Sequence, residues 1–195
     1  MNKQIPIFYA CDDAFVKYTI VSLTSIKANA SLDRKYHVYV LYTDISDEMK
    51  ENIDKYYGGD VYAYCEDYYS LLCDVVNKTK CNIVAHFDLI TKFNEKMPLI
   101  DEEHPRYKSA VNKAISALKD SGAYFEVNVG AITRGYRTKA YPSEYIMEQL
   151  MSNGKPFVLS SDTHCTFTLD MHLDAYARVF DKLGIKYITS LDEIL

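Results

Sequence analysis

The chain has 195 residues, 48% hydrophobic and 25% charged, so folding hides about 70% of the unfolded surface and needs no disulfide or zinc staple. The net charge of −5, with Lys and Arg dispersed, excludes a sequence-independent grip on phosphate backbones, and no nucleic acid partner is expected. No apolar run approaches the roughly 18 residues that span a bilayer, and residues 1–6 lack the halves of a signal peptide, so no membrane partner and a cytoplasmic location are expected.

Short β-rich runs alternate with helical stretches, which predicts an α/β fold with a mainly parallel sheet. In chain order the pattern predicts a strand at 5–10, a helix at 14–28, a strand at 37–42 and a helix at 47–56. Tyr57-Gly58-Gly59-Asp60 then leads into a second helix, 61–78, with no strand between, and marks the clearest internal boundary. A strand at 82–86, a helix at 107–121, a strand at 123–129, a helix at 143–152, a strand at 157–161, a helix at 173–183 and a strand at 186–189 complete the series. Pro105 and Pro142 precede helices, and Gly122, Gly154 and Gly184 follow helix ends. His104 and His172 are expected to face solvent, and the acidic run Asp101-Glu102-Glu103 to cap the helix that follows it. The five cysteines form no C-x-x-C pair and read as reduced thiols.

In parallel α/β folds the chemistry collects beyond the carboxyl ends of the strands. Those positions carry Asp12-Asp13, Thr43-Asp44, His86-Phe87-Asp88, the loop from Gly130 to Arg137, and Asp162-Thr163-His164. A strand that ends in Asp-x-His can send a carboxylate and an imidazole toward metal ions, and His86 ends a second strand. Arg134 and Arg137 suit a phosphate dianion, since the planar guanidinium matches phosphate oxygens two at a time. Together these residues predict metal-assisted hydrolysis of a small phosphate ester. Metal-bound hydroxide would attack phosphorus in line, with Glu126 and Asn128 as partners behind the ligands. The bland alternative makes Asp162 a turn cap, His86 a structural histidine and the arginines surface charge.

From about residue 58 to 195 the chain resembles the C-terminal two-thirds of a histidinol-phosphatase of the PHP (polymerase and histidinol phosphatase) superfamily. The resemblance rests on Gly59-Asp60 with Glu66-Asp67-Tyr68-Tyr69, the run Asn82 to Asn94 around His86-Phe87-Asp88, and Pro105-Arg106-Tyr107. It continues through Phe125-Glu126-Val127-Asn128 to Arg134-Gly135-Tyr136-Arg137 and ends at Ser160-Ser161-Asp162-Thr163-His164. It implies a distorted β/α barrel with a trinuclear site of divalent metal ions (Mn, Fe or Zn) that hydrolyses L-histidinol phosphate in histidine biosynthesis. By position it implies His86, Asp162 and His164 as metal ligands, Arg134 as a binder of the substrate phosphate, and Arg137 as a second phosphate candidate. The family's opening His-x-His is absent, and His37 alone precedes His86. Asp12, Asp13, Asp44 and His37 are the candidates to replace the missing ligands.

The first 50 or so residues carry a different resemblance. Ile5 to Asp13, then Ser22-Leu23, Asp33-Arg34-Lys35-Tyr36 and Val38 to Ser46 are similar to the opening of a family 8 glycosyltransferase, which implies a nucleotide-sugar βαβ unit. The Asp-x-Asp that such enzymes use for Mn²⁺ does not occur in the chain. The two resemblances together imply a fusion of partial domains, 1–57 and 58–195, joined near residues 52–58. The expected product is one α/β layer of about six strands, a partial PHP-type barrel or an open sheet, with a homodimer covering its edge. Besides the phosphatase, two further readings follow: an inactive fusion remnant, and a nucleotide-sugar-binding module.

Overall fold

The computed structural model describes residues 4–11, 35–42, 47–188 and 190. The chain divides into two compact units, Met1–Gly59 and Asp60–Leu195. In the first, strands β1 (Gln4–Cys11) and β2 (Lys35–Tyr42) pair in parallel, from Gln4 against Lys35 to Cys11 against Tyr42. Both are rich in β-branched and aromatic residues, which suit a pleated surface. Helix α1 (Asp47–Tyr57) follows. Gly58 and Gly59 end it at φ +60° and +83°, a left-handed path open to glycine at little cost.

The second unit starts with helix α2 (Val61–Thr79), whose Asp60 cap accepts the backbone N–H groups of Tyr62 and Ala63, both at 3.0 Å. Cys65, Tyr69, Cys73 and Val76 form its buried stripe at helical spacing. Burial pushes the Cys65 thiol up to about 12 and the Cys73 thiol up to about 11, so both behave as packing groups. Helix α3 (Pro105–Ala117) packs against α2, and the two buried hydroxyls of Tyr69 and Tyr107 meet at 3.0 Å. Arg106 fastens the two helix starts by donating to both oxygens of Asp60 (3.0 and 2.8 Å) and both of Glu66 (3.0 Å each).

Strands β3 (Ile83–Val84), β4 (Tyr124–Asn128), β5 (Phe157–Ser160) and β6 (Tyr187–Ile188) form a parallel sheet in chain order. Phe125 and Val127 on β4 are fully buried, and Phe125 meets Phe87 with ring centroids 5.6 Å apart. Burying each such side chain is worth about 1.5–3 kcal/mol. The opposite face of β4 is buried too, yet carries Glu126 and Asn128. That polar pair in a covered parallel strand marks the working end of the sheet. A one-turn helix α4 (Gly130–Thr133) follows β4. Helix α5 (Glu144–Ser152) buries Ile146 and Leu150, and helix α6 (Leu173–Leu183) sets Phe180 between Phe157 and Tyr187, with centroids 5.9 and 5.5 Å away.

The fold is α/β, with every described strand pair parallel. The described strands divide between a two-stranded and a four-stranded sheet. The strandless helix–Gly-Gly–helix passage lies at the division. The helix expected at 14–28 falls outside the described residues. His104 departs from expectation: its Nδ1 accepts the Arg106 backbone N–H at 3.2 Å, and its ring stacks on Tyr62 at 3.8 Å. It therefore caps α3, whereas the Asp101 carboxylate accepts the Glu103 N–H upstream of that helix. No described helix is long and apolar enough to cross a membrane.

Candidate functional site

The site is built at the carboxyl ends of β3, β4 and β5. β3 is only two residues long because the backbone turns away at His86, which adopts φ +50°. At the end of β5 Asp162 does the same at φ +45°. His and Asp are among the non-glycine residues that tolerate this region, at a cost of about 1–3 kcal/mol each, and such strain persists only where neighbours over-determine it. For His86 the restraint is its N–H donating to Glu126 Oε2 at 3.1 Å, and its carbonyl accepting from Leu89 at 3.0 Å. For Asp162 it is the N–H donating to Ser160 Oγ at 3.2 Å, and the carbonyl accepting from Arg134 Nη1 at 2.6 Å.

Period two along β4 puts Glu126 and Asn128 on one face, toward His86. Asn128 Oδ1 accepts the Gly130 N–H at 2.8 Å, which commits its amide nitrogen to the other side, 3.3 Å from His86 Nδ1. Glu126 Oε2 lies 3.6 Å from the same ring nitrogen. The other ring nitrogen, Nε2, is 4.0 Å from Asp162 Oδ2.

Arg134, just past α4, closes the group. Its Nη2 donates to Asp162 Oδ2 at 2.6 Å, and its Nη1 lies 2.9 Å from His164 Nδ1. His164 Nδ1 is 3.9 Å from the second oxygen, Asp162 Oδ1. Burial favours the protonated form of the Asp162 carboxyl, but the hydrogen bond and charge of Arg134 more than offset that, so its pKa is held below the usual carboxylate range. The four side chains are part-exposed, from 23% for Asp162 to 49% for His164, so a small solute can reach them.

Gly130 makes the close approach possible. A Cβ there would stand 2.9 Å from Asp162 Cβ and from the Ser161 carbonyl, and 3.0 Å from Arg134 Nη1. The carbonyl is backbone and cannot swing aside. Gly130→Ala is therefore expected to push β5 away from Arg134, lowering stability by about 1–3 kcal/mol. Urea denaturation will measure the loss.

The structure thus brings together His86, Asp162, His164 and Arg134, and sets Arg137 apart from them. Arg137 is buried, with Nη1 on Thr91 Oγ1 at 3.0 Å and on Asp88 Oδ2 at 3.5 Å, and its guanidinium 4.7 Å from the centre of the Tyr141 ring. Tyr141 in turn packs edge-on against His86 at 6.0 Å. Asp88 is fully buried; burial pushes its carboxyl up to about 6, against the pull of Arg137. It also accepts the Ser143 N–H at 2.8 Å, at the entrance of α5. Sequence reasoning missed this role of Asp88; its setting in the apolar run Phe87 to Ile90 was the available signal.

The metal centre that the resemblance implies does not fit these residues. Asp162 has an imidazole near each oxygen, but Arg134 donates to Oδ2, and His164 Nδ1 is taken up by contacts with Arg134 Nη1 and the Asp162 carbonyl, each at 2.9 Å. Among the described residues no three His, Cys, Asp or Glu form a group that could hold an ion. The candidate replacements Asp12, Asp13 and Asp44 lie outside the described residues, as does the side chain of His37.

No family model matches the chain. Among curated proteins it is similar to one named "Probable histidinol-phosphatase" from Schizosaccharomyces pombe (strain 972 / ATCC 24843), 23% identical over 198 residues. The match takes in 98% of this chain, both units included, and 64% of the relative, so the chain spans just under two thirds of that protein's length.

Proposed function

We propose that the chain binds and hydrolyses a small phosphate monoester, with L-histidinol phosphate as its substrate. The observation that carries this reading is Arg134 at the mouth of a parallel sheet, ringed by His86, Asp162 and His164. The similarity to a probable histidinol-phosphatase supports it. In this reading the guanidinium compensates the charge on the phosphoryl oxygens as they approach the transition state. His86, set beside Asn128, turns Nε2 toward the ester oxygen as a hydrogen-bond donor, and the attacking water passes its proton to that oxygen as the P–O bond to the alcohol breaks. Ionised Asp162 orients the attacking water and anchors Arg134.

The test is phosphate release from L-histidinol phosphate by the full chain, with and without added Mn²⁺, beside Asp162→Ala. Release that disappears in the variant is the expected result. Release undiminished in Asp162→Ala removes this site from the reaction. A second reading, a phosphate-binding remnant without turnover, is favoured by the close Arg134–Asp162 pair; binding of the ester with no release by either protein would establish it instead.

A further inference from the structure

We infer that the Arg134 guanidinium is the resident cation of this site and keeps divalent metal ions off Asp162 and His164. A metal ligand must offer a lone pair at about 2.0–2.2 Å, and the positions against Asp162 Oδ2 and His164 Nδ1 where an ion would sit are taken by protein contacts. Asp162 Oδ2 receives Arg134 Nη2 at 2.6 Å. His164 Nδ1 is 2.9 Å from both Arg134 Nη1 and the Asp162 carbonyl oxygen, so this edge of the imidazole is filled by protein contacts. For His86 the decisive group is Asn128. With Oδ1 held by the Gly130 N–H, its amide donates to Nδ1, and the His86 proton lies on Nε2. That nitrogen turns an N–H toward Asp162, 4.0 Å away, where a ligand would turn a lone pair.

The arginine is seated by backbone as well as by charge. The left-handed turn at Asp162 presents the residue's own carbonyl to Nη1 at 2.6 Å, a contact that no metal centre requires. On the opposite side Gly130 leaves the space that Nη1 fills. One cation therefore satisfies a carboxylate, an imidazole and a carbonyl at once, with the fork geometry that a spherical ion lacks. Removing it should convert the same residues into a metal site, because Asp162 then faces an imidazole near each of its oxygens.

The test is Mn²⁺ binding, followed by the paramagnetic signal of the free ion. It reads metal affinity directly and so fails or succeeds apart from phosphate release. Mn²⁺ is hard and binds thiols poorly, which keeps Cys165 out of the measurement. Wild type is expected to bind no ion whose affinity changes in Asp162→Asn. Arg134→Ala is expected to gain affinity by about tenfold or more, the scale on which groups behind the ligands tune metal sites. Adding Asp162→Asn to Arg134→Ala should cancel the gain. Mn²⁺ binding by wild type that Asp162→Asn weakens overturns the inference, as does a folded Arg134→Ala that gains nothing. Should Arg134→Ala not fold, the thermal melt of wild type decides. A Mn²⁺-dependent rise in Tm that is absent in Asp162→Asn refutes the resident arginine, and no rise upholds it.

Discussion

Arg134→Ala is expected to lower kcat/KM for phosphate release by about 100-fold to 1,000-fold, the loss typical of removing one preorganised charged donor from a transition state. The effect should exceed that of any other single change in the loop after β4, because two structures depend on this side chain. In the proposed reaction the guanidinium would offer the phosphoryl group its positive charge, and in the structure it holds Asp162 ionised and in place. Arg134→Lys separates the two roles. Lysine restores a charge but cannot reach Asp162 Oδ2, the Asp162 carbonyl and His164 Nδ1 together. Its KM should recover more than its kcat. Steady-state kinetics on both variants will show the split, and equal rates for Lys and Arg would mean that the fork geometry is irrelevant.

The largest stability effect is expected at Asp88, not at the exposed residues of the site. Asp88→Ala removes the buried carboxylate beside Arg137, leaving Glu95 at 3.9 Å from its Nε, and frees the Ser143 N–H at the entrance of α5. Breaking a buried pair from one side costs about 3–5 kcal/mol. Urea denaturation will measure it. Asp88→Leu combined with Arg137→Met should recover much of that loss, since removing both charges leaves no ion stranded in the interior. The double variant also tests whether Arg137 touches substrate. From its buried place against Asp88, Thr91 and Tyr141 it should change KM little once folding is restored.

The secondary structure was legible because strands and helices alternate with sharp Gly and Pro punctuation. The helix read at 173–183 forms as Leu173–Leu183, and the strand read at 157–161 as Phe157–Ser160. Less legible were elements with no room for a period: the single turn Gly130–Thr133 and the 3-10 turns Leu89–Thr91 and Thr166–Thr168. The site was legible as a set of strand-end residues and illegible as a set of partnerships. Arg134 and Asp162 are 28 residues apart, and Asp88 and Arg137 are 49 apart, so nothing local shows which charge answers which. One arginine meets the Asp-x-His pair and the other turns inward, a choice made by the tertiary packing of Tyr141 and Thr91 rather than by any motif.

The chain-order pairing of β3, β4, β5 and β6 also has a meaning for the growing polypeptide. Each strand of this sheet can dock on the one made just before it, so the sheet extends with synthesis and waits for no distant segment. Arg134 leaves the ribosome 28 residues ahead of its carboxylate, and for that interval the positive charge stands beside the edge of an unfinished sheet. In the finished sheet β5 covers that edge of β4, and Asp162 beyond its end meets the Arg134 charge.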